Sequence, residues 1–278
     1  VVTVIIAGMV IGWFVLQKYT VKNHVPPPSF APILKPIKPY AVMTYNIQKF
    51  PFSMKSFDPV IDLFREHHII LLQECFDDVL DPLVKIFPEY HIFRGTLQGI
   101  NLMNSGLALL SKFPIVEGEF VQFNNFNSLT FDVLSEKGFI SVVLDINGEH
   151  VRVVNTHLQS CDFDRYDPAS MLQLDELLRH LSIRLREKYY FVGGDFNIDV
   201  TDLLEYYHHF PQLLHPNEST IFINFTTSHT RCTKKLGYDG LTFDYFFASK
   251  SVKMSPPRVV PCDYSDHNPV SATIELIS

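Results

Sequence analysis

"GFISVVLDINGEHVRVVNTHL" (residues 138–158) holds two apolar runs hinged on Asn147-Gly148. An Asn-Gly pair between alternating runs supplies the two positive φ angles of a tight hairpin. The stretch therefore predicts two paired strands, 138–146 and 150–158. Beyond Leu158 the pattern changes. "PASMLQLDELLRHLSIRLREK" (168–188) spaces its apolar residues as an amphipathic helix and leads into another buried run, "YYFVGGDFN" (189–197). Hairpins and βα units within one domain imply two packed sheets with helices outside.

The same alternation extends in both directions. "YAVMTYNI" (40–47), "IILLQE" (69–74), "SGLALLSK" (105–112), "LTFDYFFAS" (241–249) and "SATIELI" (271–277) read as strands. "FDPVIDLFREHH" (57–68) has helical spacing. No internal repeat is visible.

At 278 residues, with 46% hydrophobic and 13% aromatic content, the chain can bury a full core. Net charge is −7 and no run of Lys or Arg occurs, which argues against a nucleic-acid partner held through its phosphates. The four cysteines (Cys75, Cys161, Cys232, Cys262) form no CxxC, so a zinc cage is not expected. They read as free buried thiols, with a Cys232–Cys262 pair open to an oxidising compartment.

The beginning of the chain differs in kind. "VVTVIIAGMVIGWFVL" (1–16) is uncharged and falls slightly short of the roughly 20 apolar residues of a spanning helix. A signal-peptide core is the rival reading, but no small-x-small cleavage site follows. The expectation is a transmembrane anchor over 1–19 and a Pro-rich linker over 20–39. The linker's "PPPSFAPILKPIKP" (26–39) cannot form a helix or an inner strand. The chain is thus expected to be a single-pass membrane protein. Lys18 and Lys22 favour a cytosolic domain, whereas "NES" (217–219) and "NFT" (224–226) are glycosylation acceptors only in a lumenal or secreted one, so its side stays open.

Strand after strand ends on a polar residue of the same kind. Asn46 closes "VMTYN", Glu74 closes "IILLQE", and His157 closes "VVNTH". Asp195 and Asn197 close "FVGGDFN", Asp244 closes "LTFD", and Asp266 and His267 occupy the turn before the last strand. One such residue is usually a cap or a turn former. Several, each after an apolar run, would converge at one edge of the packed sheets, where sites form. The types suit metal-assisted phosphoester cleavage. A hard cation such as Mg²⁺ takes oxygen ligands, and Glu74 is a natural one. Asn and His can stabilise charge on a phosphate, and His is the side chain that titrates near neutral pH. His267 would take a proton from water, with a carboxylate orienting its ring. His67-His68 and His208-His209 read as helix caps or core edges, and Tyr189-Tyr190 as core.

The series "TYN", "QE", "THL", "GGDFN", "FDY" and "SDHNPV" resembles the endonuclease/exonuclease/phosphatase superfamily over residues 40–278. That family includes DNase I-like nucleases, inositol polyphosphate 5-phosphatases and neutral sphingomyelinases. The resemblance implies an α+β, four-layer α/β/β/α sandwich and a Mg²⁺-dependent phosphoester hydrolase. It further implies that Asn46 and Glu74 form the metal pair and His157 stabilises the phosphate. Asp195 would position the attacking water and Asn197 bind phosphate. Asp244 would support His157, with Asp266 and His267 as the acid–base pair.

"NSGLALLSKFPI" (104–115), "EKGFISVVL" (136–144) and "THLQS" (156–160) are similar to the sphingomyelinase branch. "GDFNIDVTD" (194–202) lacks the arginine usual in a 5-phosphatase. The expected activity is hydrolysis of sphingomyelin, or a related phospholipid, to ceramide and phosphocholine at a membrane. A DNase I-like nuclease is the alternative enzyme. An inactive binding domain would require a broken site, and every expected position is filled.

Overall fold

The computed structural model describes residues 39–49, 56–95, 103–125, 131–160, 168–184, 187–209, 221–224 and 241–277. In chain order these form β1 (Tyr40–Lys49), a 3-10 turn (Asp58–Val60) running into α1 (Ile61–Arg65), β2 (Ile69–Cys75), α2 (Asp77–Ile86), β3 (His91–Arg94) and β4 (Ala108–Ser111). Next come β5 (Ile115–Gln122), a second 3-10 turn (Phe131–Leu134), β6 (Gly138–Ile146), β7 (Glu149–His157), α3 (Pro168–Arg184) and β8 (Tyr189–Asp195). The chain continues through α4 (Val200–His209), β9 (Ile221–Asn224), β10 (Asp244–Ser249), β11 (Val252–Met254), β12 (Arg258–Val259) and β13 (Val270–Leu276).

The strands make two mixed sheets. One runs β11-β13-β1-β2-β4-β3, with β12 also on β13; the other runs β5-β6-β7-β8-β10-β9. Each contains one parallel pair, β1 with β2 and β7 with β8. The predicted hairpin forms with Gly138 opposite His157 and Ile146 opposite Glu149. Asn147 (φ 56°) and Gly148 (φ 91°) take the left-handed turn, and the Asp145 carboxylate accepts a hydrogen bond from the Gly148 N–H at 2.6 Å.

Strand alternation divides the core into three layers. Val42, Leu71 and Leu109 face Val142, Val153, Phe191 and Phe246 between the sheets. Met43, Tyr45 and Leu72 point out of the first sheet onto Phe64, Leu83 and Phe87 from the helical segments. Val154, Val192 and Phe247 point out of the second onto Leu174, Leu177 and Leu181 of α3 and Leu203 of α4. Leu174, Leu177, Leu178 and Leu181 recur at the spacing that places them on one helical face. Truncating one such buried leucine to alanine costs about 2–5 kcal/mol. The arrangement is consistent with a DNase I-like sandwich.

Some expectations need correction. The single-pass membrane localisation is one. Among the described residues no helix is long and apolar enough to cross a membrane. The longest, α3, has 17 residues and carries Asp175, Glu176 and Arg179, whereas a span needs about 20 mostly apolar ones. The proposed anchor (1–19) and nearly all of the proposed linker (20–39) lie outside the described residues. The expected helix over 57–68 shrinks to a 3-10 turn and five α-helical residues. The strand over 105–112 begins only at Ala108, because Gly106 turns the chain at φ 64°. Cys75 and Cys262 are free thiols. His67 is a buried core-edge residue, bonded to Leu63 O and Ser271 Oγ.

Candidate active site

The parallel pairs bring four expected residues to one edge. In β7 and β8, His157 lies opposite Asp195, and Asp195 lies opposite Asp244 at the start of β10. Residues opposed in this way project from the same face. Asn46 and Glu74 come from the matching ends of β1 and β2 in the other sheet. Between the sheets opens a cleft of 410 Å³ whose lining includes Asn46, Glu74, His157, Asp195, Asn197, Asp266 and His267. Asp244 is fully buried behind it.

Asp195 is the hub. Its Oδ2 accepts a hydrogen bond from Asn46 Nδ2 at 3.0 Å and lies 3.6 Å from both His157 Nε2 and His267 Nε2. Its Oδ1 accepts the Asn197 N–H at 3.0 Å. The Asn46 amide also donates to Glu74 Oε1 at 2.9 Å. Asn197 donates its side-chain amide to Leu158 O at 3.0 Å. Gln48, Glu74 and Asn197 all line the cleft at positive φ (45°, 51° and 49°). Left-handed backbone at three non-glycine positions is strain of the kind that gathers at functional sites.

The two histidines are tuned in opposite directions. Burial lowers the His157 pKa, and the Lys137 ammonium 3.2 Å from its Nε2 helps bring it to about 4. Lys137 is the donor in that contact, so Nε2 accepts and the ring is neutral. Burial also works against protonation of His267, but the Asp244 and Asp195 carboxylates outweigh it and push its pKa up to about 10. Asp244 Oδ2 lies 2.8 Å from His267 Nδ1. This hydrogen bond goes to His267, not to His157 as the resemblance implied. Asp266, the neighbour expected to act with His267, accepts from Ser265 Oγ at 3.3 Å and contributes its charge to His267.

Three residues of the site escaped sequence reasoning. Lys137 donates to Leu158 O at 3.1 Å in addition to its contact with His157. Asp132 lies 3.3 Å from Lys137 Nζ and accepts from the Ser160 N–H and Oγ at 2.7 and 2.8 Å. Burial would raise the Asp132 pKa, yet Lys137, His157 and Ser160 hold it down at about 2. "EKGF" offered a signal for Lys137, a charge at the head of a buried strand. Asp132 and Ser160 offered none.

The cleft fits a divalent cation. Glu74 Oε2 is buried and makes no hydrogen bond. Burial raises the pKa of this carboxyl despite the Asn46 hydrogen bond and the Lys137 charge. A dication would offset that cost, and oxygen donors suit a hard metal. Nearby, Asp195, Asp244 and His267 offer ligand atoms within 4.8 Å of one another.

The model of the Endonuclease/Exonuclease/phosphatase family matches residues 43–267. Sphingomyelinase C of Bacillus cereus is 27% identical over 211 residues, 62% of this chain and 62% of the relative. The match thus spans less than two thirds of that enzyme's length. Beta toxin of Staphylococcus aureus, in a crystal structure with bound magnesium ions, superposes with a TM-score of 0.65 at 18% identity over 86% of this chain and all (100%) of that one. TDP2 of D. rerio, complexed with a single-strand DNA product, gives 0.65 at 13% identity over the same shares of 86% and 100%. At these identities the structural likeness extends to the fold.

Proposed function

The chain belongs to the endonuclease/exonuclease/phosphatase family, and from that premise we propose that it is a Mg²⁺-dependent phosphodiesterase that hydrolyses sphingomyelin to ceramide and phosphocholine. The observation that carries the reading is the line Asp244–His267–Asp195, which points an oriented imidazole at a buried carboxylate within the cleft. The similarity to sphingomyelinase C, together with "SGLALLSK" and "THLQS", supports the lipid substrate.

His267, with Nδ1 held by Asp244, presents Nε2 on the side of Asp195. With the ring made neutral by nearby positive charge, a water held by Asp195 would give its proton to that nitrogen as it attacks phosphorus; the opposite P–O bond breaks, and the ceramide oxygen takes a proton from solvent. Lys137, His157 and Asn197 also line the cleft and would lie beside the phosphate. Lys137 would supply positive charge, and its hydrogen bond to His157 Nε2 holds that ring beside it. Asn46 ties Glu74 to Asp195 and so fixes the spacing of the two carboxylates. Mg²⁺ held by Glu74 and Asn46 would polarise the phosphate and offset its charge.

The deciding experiment measures phosphocholine release from sphingomyelin in detergent micelles beside a plasmid-nicking assay, each with and without chelator. Phosphocholine release that chelator stops and Mg²⁺ restores is the expected outcome. Nicking of plasmid with sphingomyelin left intact would replace this reading by a nuclease.

A further inference from the structure

The strand that carries Glu74 is irregular where it matters. β2 pairs with β4 from Ile69 opposite Ser111 to Leu72 opposite Ala108. The next backbone bond runs from the Cys75 N–H to Gly106 O at 2.8 Å. Between these points Gln73 and Glu74 face Leu107 alone, which is the two-against-one count of a bulge, and Glu74 takes a left-handed φ of 51°. The β1 side is irregular too, since the register shifts between Asn46 and Lys49. A bulge redirects a side chain, but it also disturbs the ladder beside it.

The second sheet reaches across to this spot. Asn155 of β7, fully buried, sends its side-chain amide between β2 and β4. Nδ2 donates to Leu72 O at 2.9 Å and to Ala108 O at 3.0 Å, the two carbonyls at the edge of the bulge. Its Oδ1 accepts from Gln73 Nε2 at 2.7 Å, and Gln73 Nε2 also donates to Thr44 Oγ1 at 3.0 Å. These amides stand at one end of an apolar layer that includes Val153, Leu71 and Leu109. The Asn155 amide is matched at both its nitrogen and its oxygen, which makes its burial tolerable, whereas Gln73 Oε1 makes no hydrogen bond. Asn155 is also two residues before His157 on the same strand, while Gln73 immediately precedes Glu74.

We propose that Asn155 is a positioning residue, an amide clamp from the second sheet that holds the Gln73–Glu74 bulge of the first and aims the Glu74 carboxylate into the cleft. The clamp also fixes the spacing between the strand ends that present Glu74 and His157. It rests on the reading of Glu74 as the cation-holding residue, and it assigns Asn155 no contact with substrate.

Asn155→Leu keeps approximate volume and removes both donors; Gln73→Met leaves those donors in place and removes the bond that fixes the amide, along with the Gln73 bonds to Thr44 Oγ1 and Leu71 O. Val153→Ala, two residues earlier and in the same layer, perturbs packing without touching the clamp. Two quantities are read on the full chain: Mg²⁺ affinity by calorimetry, and hydrogen exchange of the Cys75 amide. Asn155→Leu should weaken Mg²⁺ about 10–100-fold, the loss typical when a group supporting a metal ligand is removed. Cys75 exchange should accelerate at least about tenfold, as local opening frees its bond to Gly106. Gln73→Met should shift both in the same direction by less, and it carries the test if Asn155→Leu does not fold. Val153→Ala should change neither beyond its effect on global stability. Wild-type affinity together with wild-type Cys75 exchange in both clamp variants would overturn the proposal, as would equal losses in Val153→Ala. If wild type binds no Mg²⁺, the reading of Glu74 falls, and Cys75 exchange alone then decides whether the clamp holds the bulge.

Discussion

Asp244 Oδ2 lies 2.8 Å from His267 Nδ1, and the bond joins the two sheets. Asp244 opens β10 of one sheet, and His267 stands just before β13 of the other. The His267 ring is thus oriented across the sandwich by a carboxylate distant in sequence.

Replacing His267 by alanine should lower kcat by roughly 10²–10⁴, the range typical of a general base, with the fold retained. Asp244→Asn should leave the imidazole in place but lower its basicity. In the metal-free protein His267 is held at about 10 against an ordinary 6.5. Its contribution to stability is therefore complete below about pH 6.5 and disappears as pH rises through 10. Denaturant titrations of metal-free protein at pH 6 and 10 should show this loss, and His267→Gln should flatten it. Added Mg²⁺, by placing positive charge nearby, should move the His267 resonance titration downward.

Glu74→Gln keeps the shape of the side chain but removes its charge. Calorimetry should show Mg²⁺ binding fall below detection, and chelator-treated variant should not regain activity when Mg²⁺ is returned. Full activity of the variant at low Mg²⁺ would move the metal elsewhere in the cleft.

Lys137→Met removes the ammonium beside His157 and with it one of the influences, beside burial and the His267 charge, that hold this ring near 4. The His157 titration measured by NMR should rise, and kcat should fall more than KM changes if the lost charge acts on the phosphate as proposed.

Asp132 is held near 2 against an ordinary 3.8. A carboxylate depressed in this way adds stability above about pH 4 that is lost as pH falls toward 2. Acid unfolding followed by circular dichroism should be less steep across that interval in Asp132→Asn, which should also be less stable at neutral pH.

Gly194 lies where any Cβ would collide with the Thr156 carbonyl of the neighbouring strand. Gly194→Ala must push β7 and β8 apart one residue before Asp195, so a loss of about 1–3 kcal/mol is expected from overpacking alone. Thermal unfolding of the variant beside wild type measures it.

Much of the frame was legible because it is periodic. The 138–146 run, its Asn-Gly turn and the partner strand required only local chemistry, and their register follows from the turn. α3 was legible from its leucine spacing. β5 was not: its residues are largely exposed at the edge of a sheet, so "IVEGEFVQ" has no buried face to impose alternation. β11 and β12 are too short to show a period.

Within the site, the sequence by itself determined which residue types stand at the strand ends, since an apolar run followed by Asn, Glu, His or Asp marks a buried strand emerging at an edge. It could not determine their partners. Asp266 adjoins His267 in the chain, yet the ring's bond goes to Asp244, because neighbours in a bend point apart while the packing of the two sheets brings distant side chains together. Asn46 meets Asp195 across 149 residues for the same reason. The partners of Lys137 and Asn155 became visible only there, since the atoms that match these buried polar groups lie on other strands. Periodicity decides which face of a strand is buried. Which strands lie opposite each other is decided by the packing of the whole core, and that packing chose the chemistry of the cleft.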